Sequence, residues 1–96
     1  MGRGFIKERV PVVELLAGLA EESSELAQAA LKLRRVFVSN NPTPVSEDQA
    51  IENLWEEIAD VNLYVSLLDI NLGAVSEYMQ AKQRRWEERL KSIEGN

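Results

Sequence analysis

The sequence predicts an all-α fold: three helices in an antiparallel helical bundle, with a four-helix core completed by oligomerisation. Three observations carry that expectation. Apolar residues recur at spacings of three and four along most of the 96-residue chain. Only one segment, Ser39-Asn40-Asn41-Pro42-Thr43-Pro44, concentrates turn-forming residues. No stretch alternates apolar and polar residues as a half-buried strand would. The whole of 1–96 is expected to form a single domain.

The first helix is expected over 11–37. Val12, Leu15, Leu16, Leu19, Leu26, Ala30, Leu33 and Phe37 form its apolar stripe. Pro11 suits a first helical turn, where its missing N–H is not needed. At 1.5 Å per residue such a helix is about 40 Å long, too long for three helices to close into a ball. After the proline-rich loop, Ser46-Glu47-Asp48-Gln49 reads as a capping box. It opens a second helix that runs to about Asp69, with the stripe Ile51, Leu54, Ile58, Val61, Val65 and Leu68. A third helix is expected over 72–93, carrying Val75, Met79, Trp86, Leu90 and Ile93. Leu63, Tyr64 and Leu67 lie off the second helix's stripe, so that helix needs neighbours on more sides than one chain supplies. A homodimer or homotetramer is therefore expected.

Composition narrows the chemistry. The chain has 11 Lys+Arg against 16 Asp+Glu, a net charge of −5, which argues against a nucleic-acid partner held by its overall field. Cysteine and histidine are both absent, which removes disulfides, thiolate nucleophiles, imidazole bases and imidazole or thiolate metal sites. Any acid–base or metal chemistry then rests on carboxylates, Lys, Tyr or water, and oxygen donors favour Mg²⁺ or Mn²⁺. The longest apolar-leaning stretch, 58–72, carries Asp60, Asn62, Ser66, Asp69 and Asn71 and is too short to span a bilayer. No leader-like segment is evident near Arg3, Lys7, Glu8 and Arg9, so a cytoplasmic protein with no membrane partner is expected.

The informative feature is a set of acids in the wrong place. Glu21-Glu22-Ser23-Ser24-Glu25 on the first helix and Glu56-Glu57-Ile58-Ala59-Asp60 on the second repeat one pattern, with acids three apart on one face. Glu21 and Glu56 point away from the stripes and read as solvated. Glu22 instead falls mid-stripe, seven after Leu15 and four before Leu26, and Glu57 lies three after Leu54 and four before Val61. Carboxylates aimed into a helix interface are costly unless paired or metal-bound. With the two helices antiparallel, Glu22 and Glu25 face Glu57 and Asp60, and a divalent cation such as Mg²⁺ is the natural occupant. Lys82, seven after Val75 and four before Trp86, projects from the third helix's stripe. It is either a lysine snorkelling along Trp86 or, beside an acidic cluster, a counter-ion or a contact to substrate phosphate. Arg85 and Arg89 flank it, whereas Arg34, Arg35 and Arg84 read as ordinary surface or helix C-terminal charges.

Glu21-Glu22-xx-Glu25 within Leu19-Ala-Glu-Glu-Ser-Ser-Glu-Leu-Ala-Gln, then Glu57-xx-Asp60 within Leu54-Trp-Glu-Glu-Ile-Ala-Asp-Val, followed by Lys82-xx-Arg85-Trp86, resembles the MazG-like all-α nucleoside triphosphate pyrophosphohydrolases. The resemblance covers roughly 16–89. Either half-motif alone is common in helices, and it is their combination that is specific. The resemblance implies Mg²⁺-dependent hydrolysis of a nucleoside triphosphate to monophosphate and pyrophosphate, often as removal of unwanted nucleotides. It implies Glu22, Glu25, Glu57 and Asp60 as metal ligands, and lets Glu21 orient a water or a second metal. The stretch between the half-motifs is longer than usual in the family. Many relatives also carry a helix ahead of the first motif that helps to enclose the base. Candidates for base contacts are Phe5, Phe37, Trp55, Tyr64, Trp86 and the polar Asn62.

Without His or Cys, the expected attack is by water, made acidic by the metal or deprotonated by a carboxylate, with Lys82 and Arg85 neutralising the triphosphate. The chemistry alone does not choose between the α and γ phosphorus; the resemblance favours α. Two other readings fit the same residues. One is a non-catalytic helical interaction module fixed by inter-helix ion pairs, and the other a nucleotide-binding relative without turnover.

Overall fold

The computed structural model describes residues 2–38 and 45–95. It contains four helices, α1 (Gly2–Arg9), α2 (Val12–Phe37), α3 (Glu47–Leu67) and α4 (Leu72–Glu94), and no strand among the described residues. The long helices follow the expected three closely. The loop expected over 39–44 lies outside the described residues.

Helix α1 corrects the expectation of three helices. Pro11 is the N-cap of α2, extended at φ −61° and ψ 152°, and it disfavours helical geometry in the residue before it. The chain N-terminal to that break winds into a separate short helix. There the Arg9 guanidinium lies 3.5 Å from the Phe5 ring centroid and its Nη1 donates to the Phe5 carbonyl at 2.8 Å.

The Ser46 hydroxyl accepts from the Gln49 amide at 3.2 Å, starting α3 as its capping sequence requires. At the other end Asp69 adopts φ 55°, a left-handed conformation that a short polar side chain tolerates. Asn71 Oδ1 then accepts from the Ala74 amide at 3.0 Å and starts α4. Lys7 of α1 pairs with Asp69, tying the N-terminal helix to this elbow.

Helices α2 and α3 form the packed core. Leu15 is 3% exposed, Ala50 1% and Leu67 4%, with Ala29 also buried. Gly18 meets Tyr64, while Glu22 and Glu25 meet Glu57. Glu25 and Ala29 share a cavity wall with Asn53 and Glu57. Steps forward along α2 thus meet steps back along α3, which makes the pair antiparallel. Within one chain this is a helical hairpin with α1 laid on α3, not a closed bundle.

The facing rows differ from the expected stripes. Tyr64 and Leu67, expected to be surplus surface, turn inward against α2, and Leu67 is buried. Val12 and Leu16, expected in the core, are 62% and 50% exposed. The apolar arcs of both helices are wider than one neighbour can cover. Helix α4 buries no residue at all, and Met79, Trp86, Leu90 and Ile93 all stand exposed. The Cα radius of gyration is 17.7 Å, against about 12.5 Å for a compact chain of this length. None of the described helices is long and apolar enough to cross a membrane.

Candidate metal centre

Buried apolar residues flank the site along the hairpin, Leu15 on α2 and Leu67 on α3 towards one end, Ala29 on α2 and Ala50 on α3 towards the other. The polar layer lies between them. Glu22 and Glu25 enter from α2 and Glu57 from α3, each offering a carboxylate oxygen, all three within 4.8 Å of one another. Glu22 and Glu57 are half-buried and Glu25 is exposed. Glu22 Oε2 and Glu57 Oε2 are each shielded from solvent and have no hydrogen-bond partner.

The electrostatics follow from this crowding. Removal from water, then the charges of Glu25, Asp60 and Glu57, push the Glu22 carboxyl from its ordinary 4.5 up to about 7. Glu57 is raised for the same reasons, with burial first and then Glu25 and Asp60. Ionised carboxylates cannot donate to one another, so with all charges present the inward oxygens stay unpaired. A proton on Glu22 would supply a donor to Glu57, and this contribution from Glu22 opposes the rise at Glu57. No Lys or Arg forms an ion pair with Glu22, Glu25 or Glu57 among the described residues.

Oxygen donors, negative charge and unpaired inward lone pairs suit a hard divalent cation. The donor set therefore fits Mg²⁺ or Mn²⁺, and a fourth carboxylate is close by. Asp60 lies one turn beyond Glu57 and is felt electrostatically by both Glu22 and Glu57, but it is exposed and outside the close trio.

The remaining sequence-derived candidates lie elsewhere in the chain. Glu21 is exposed and outside the trio. Lys82 and Arg85 line an open hollow on α4 with Trp86, Glu88, Arg89 and Ser92, and none of the carboxylate trio borders it. Asn62 faces a hollow at the α3–α4 elbow with Val65, Ser66 and Asp69. Among the aromatics, Tyr64 is occupied by packing on Gly18, Phe5 carries Arg9, and Phe37, Trp55 and Trp86 are exposed.

Sequence reasoning missed three polar neighbours. Gln28, Lys32 and Asn53 line the cavity that contains Glu25 and Glu57. Their spacing was the available signal, since Gln28 and Lys32 follow Glu25 by three and seven and Asn53 precedes Glu57 by four. Lys32 is thus the basic side chain that shares a wall with the acids. Compared with known protein families, with curated proteins and with solved structures, the chain matches none.

Proposed function

We propose that this chain is a Mg²⁺-dependent nucleoside triphosphate pyrophosphohydrolase of the MazG-like kind, acting as a homo-oligomer. The observation that carries the reading is the pair of inward, unpartnered oxygens of Glu22 and Glu57 beside Glu25. A solvated acidic face leaves its oxygens in water, whereas these are shielded from it.

Glu22, Glu25 and Glu57, with Asp60 closing from the side, are the residues that would hold the ion. When bound, Mg²⁺ supplies charge neutralisation of the triphosphate and acidification of a water. The chain's own part is to bring bases and cations to that point. Glu21, one residue from the trio, is the acid best placed in sequence to orient the attacking water. Lys32 borders the cavity from within the chain, and Lys82 and Arg85 provide cations for the triphosphate oxygens. Monophosphate and pyrophosphate are the products in this reading.

Surface area supports the oligomeric part of this reading. The chain exposes 7731 Å², while a compact chain of 10.8 kDa exposes about 5,500 Å². The excess matches what a protomer gives up in an obligate interface. Seating α4 on a second copy covers its apolar side and brings Lys82, Arg85 and Arg89 to a hairpin rich in acids. Cytoplasmic nucleotide metabolism is the setting that suits this activity.

A panel of ribo- and deoxyribonucleoside triphosphates with Mg²⁺, read by pyrophosphate release, tests the proposal. Release from at least one nucleotide, lost in Glu57→Gln, supports it. Silence across the panel from a folded, Mg²⁺-bound protein leaves only the non-catalytic binding reading.

A further inference from the structure

Gly18 and Tyr64 occupy the layer beside the carboxylates. Gly18 lies inside a regular helix, where glycine is less favourable than alanine, and it is buried. What the position demands is the absence of a side chain. A β-carbon there would stand 2.6 Å from Tyr64 Oη and closer still to Cε1 and Cζ, so the Tyr64 ring edge rests directly on the backbone of α2.

Glu22 follows Gly18 by four residues and Asp60 precedes Tyr64 by four, so each acid is about 6 Å along its helix from the contact. Glu22 and Glu25 share α2, while Glu57 belongs to α3. Any change in helix separation at Gly18 therefore alters the distances from Glu57 to the other two and leaves the Glu22–Glu25 distance alone.

Ions differ in how they take such a change. Mg²⁺ holds oxygen ligands at about 2.0–2.1 Å in near-octahedral order, whereas Ca²⁺ accepts about 2.3–2.6 Å and irregular geometry. We infer that the Gly18–Tyr64 contact is the spacer that sets the carboxylate gap for a small divalent ion, favouring Mg²⁺ over Ca²⁺. Neither residue touches the ion; both are positioning residues. The inference rests on the metal reading above.

Isothermal titration with MgCl₂ or CaCl₂ alone tests it on the unmodified chain, Gly18→Ala, Tyr64→Leu and the double variant. Gly18→Ala is expected to lose about tenfold or more in Mg²⁺ affinity and less in Ca²⁺ affinity, so that the Mg²⁺/Ca²⁺ preference falls. The double variant regains much of that preference, because leucine leaves room for the methyl. A purely structural role would lower stability without moving the ratio. An unchanged ratio in a helical Gly18→Ala protein overturns the inference and leaves the metal site standing. Should Gly18→Ala not fold, Tyr64→Leu removes the spacer from the other side, and an unchanged ratio there has the same force. Failure of the unmodified chain to bind either ion overturns the metal site, and this inference with it.

Discussion

Glu22 on α2 and Glu57 on α3 face one another across the helix pair, each with an Oε2 atom out of solvent and without a partner. Both carboxyls are shifted upward, Glu22 to about 7. A helix interface that brings such a pair together is disfavoured when both are charged, and a proton on one of them relieves the repulsion.

The first expectation concerns protons. The folded Glu22 value of about 7 lies above its ordinary 4.5, so between these values the folded chain binds more protons than the unfolded one. The stabilising contribution of this group is full below pH 4.5 and is lost as pH rises through 7. Without divalent metal, thermal midpoints are expected to fall from pH 5 to pH 8, and Glu22→Gln should flatten that slope. Differential scanning calorimetry in a chelator checks it, and a slope unaltered by the substitution would contradict the shift.

Metal should reverse the trend. At pH 8, above the Glu22 value of about 7, Mg²⁺ at a hundredfold excess over its dissociation constant is expected to raise the midpoint by about 10 °C. Glu57→Gln should abolish that rise while raising the metal-free midpoint. A thermal scan with and without MgCl₂ reads both effects, and equal responses of the two proteins would count against the site.

The helices were legible in the sequence where local rules dominate. Ser46 with Gln49 marked the start of α3, and helical spacing placed the ends of α2 and α4 within about a residue. Glu22 and Glu57 were readable as inward acids because Leu15, Leu26, Leu54 and Val61 fix the face on which they lie. What local rules could not reveal was which part of a wide apolar arc finds a neighbour. Gly18, without a side chain to signal burial, lies at the interface, while Leu16 two residues earlier is half-exposed. The N-terminal helix was hidden for another reason, since Pro11 reads equally as a first-turn residue or as the cap that ends one helix and begins the next. Where Lys82 acts depends on what covers α4, and that is not a property of local spacing.

Packing gives a third expectation. Leu15→Ala and Leu67→Ala are each expected to cost about 2–5 kcal/mol, since both side chains are nearly fully buried in the hairpin. Urea denaturation measures this. Losses under about 1 kcal/mol would mean that the α2–α3 grip is not the core of the folded chain.

Helix α4 gives a fourth. Light scattering is expected to return a dimer or tetramer at micromolar concentration, and Trp86→Ala should shift the species towards smaller ones. Lys82→Ala should keep metal binding while lowering kcat by about a hundredfold. A monomeric unmodified chain with full turnover would contradict the role assigned to α4.

The most direct test of the central claim, that Glu22, Glu25 and Glu57 hold a divalent ion, is a Mn²⁺ titration followed by electron paramagnetic resonance at pH 8. The six-line signal of free Mn²⁺ is expected to be suppressed by the unmodified chain up to a fixed ratio per protomer, to return when Mg²⁺ is added, and to be unaffected by Glu22→Gln/Glu57→Gln. A free-ion signal undiminished by the unmodified chain would contradict the claim.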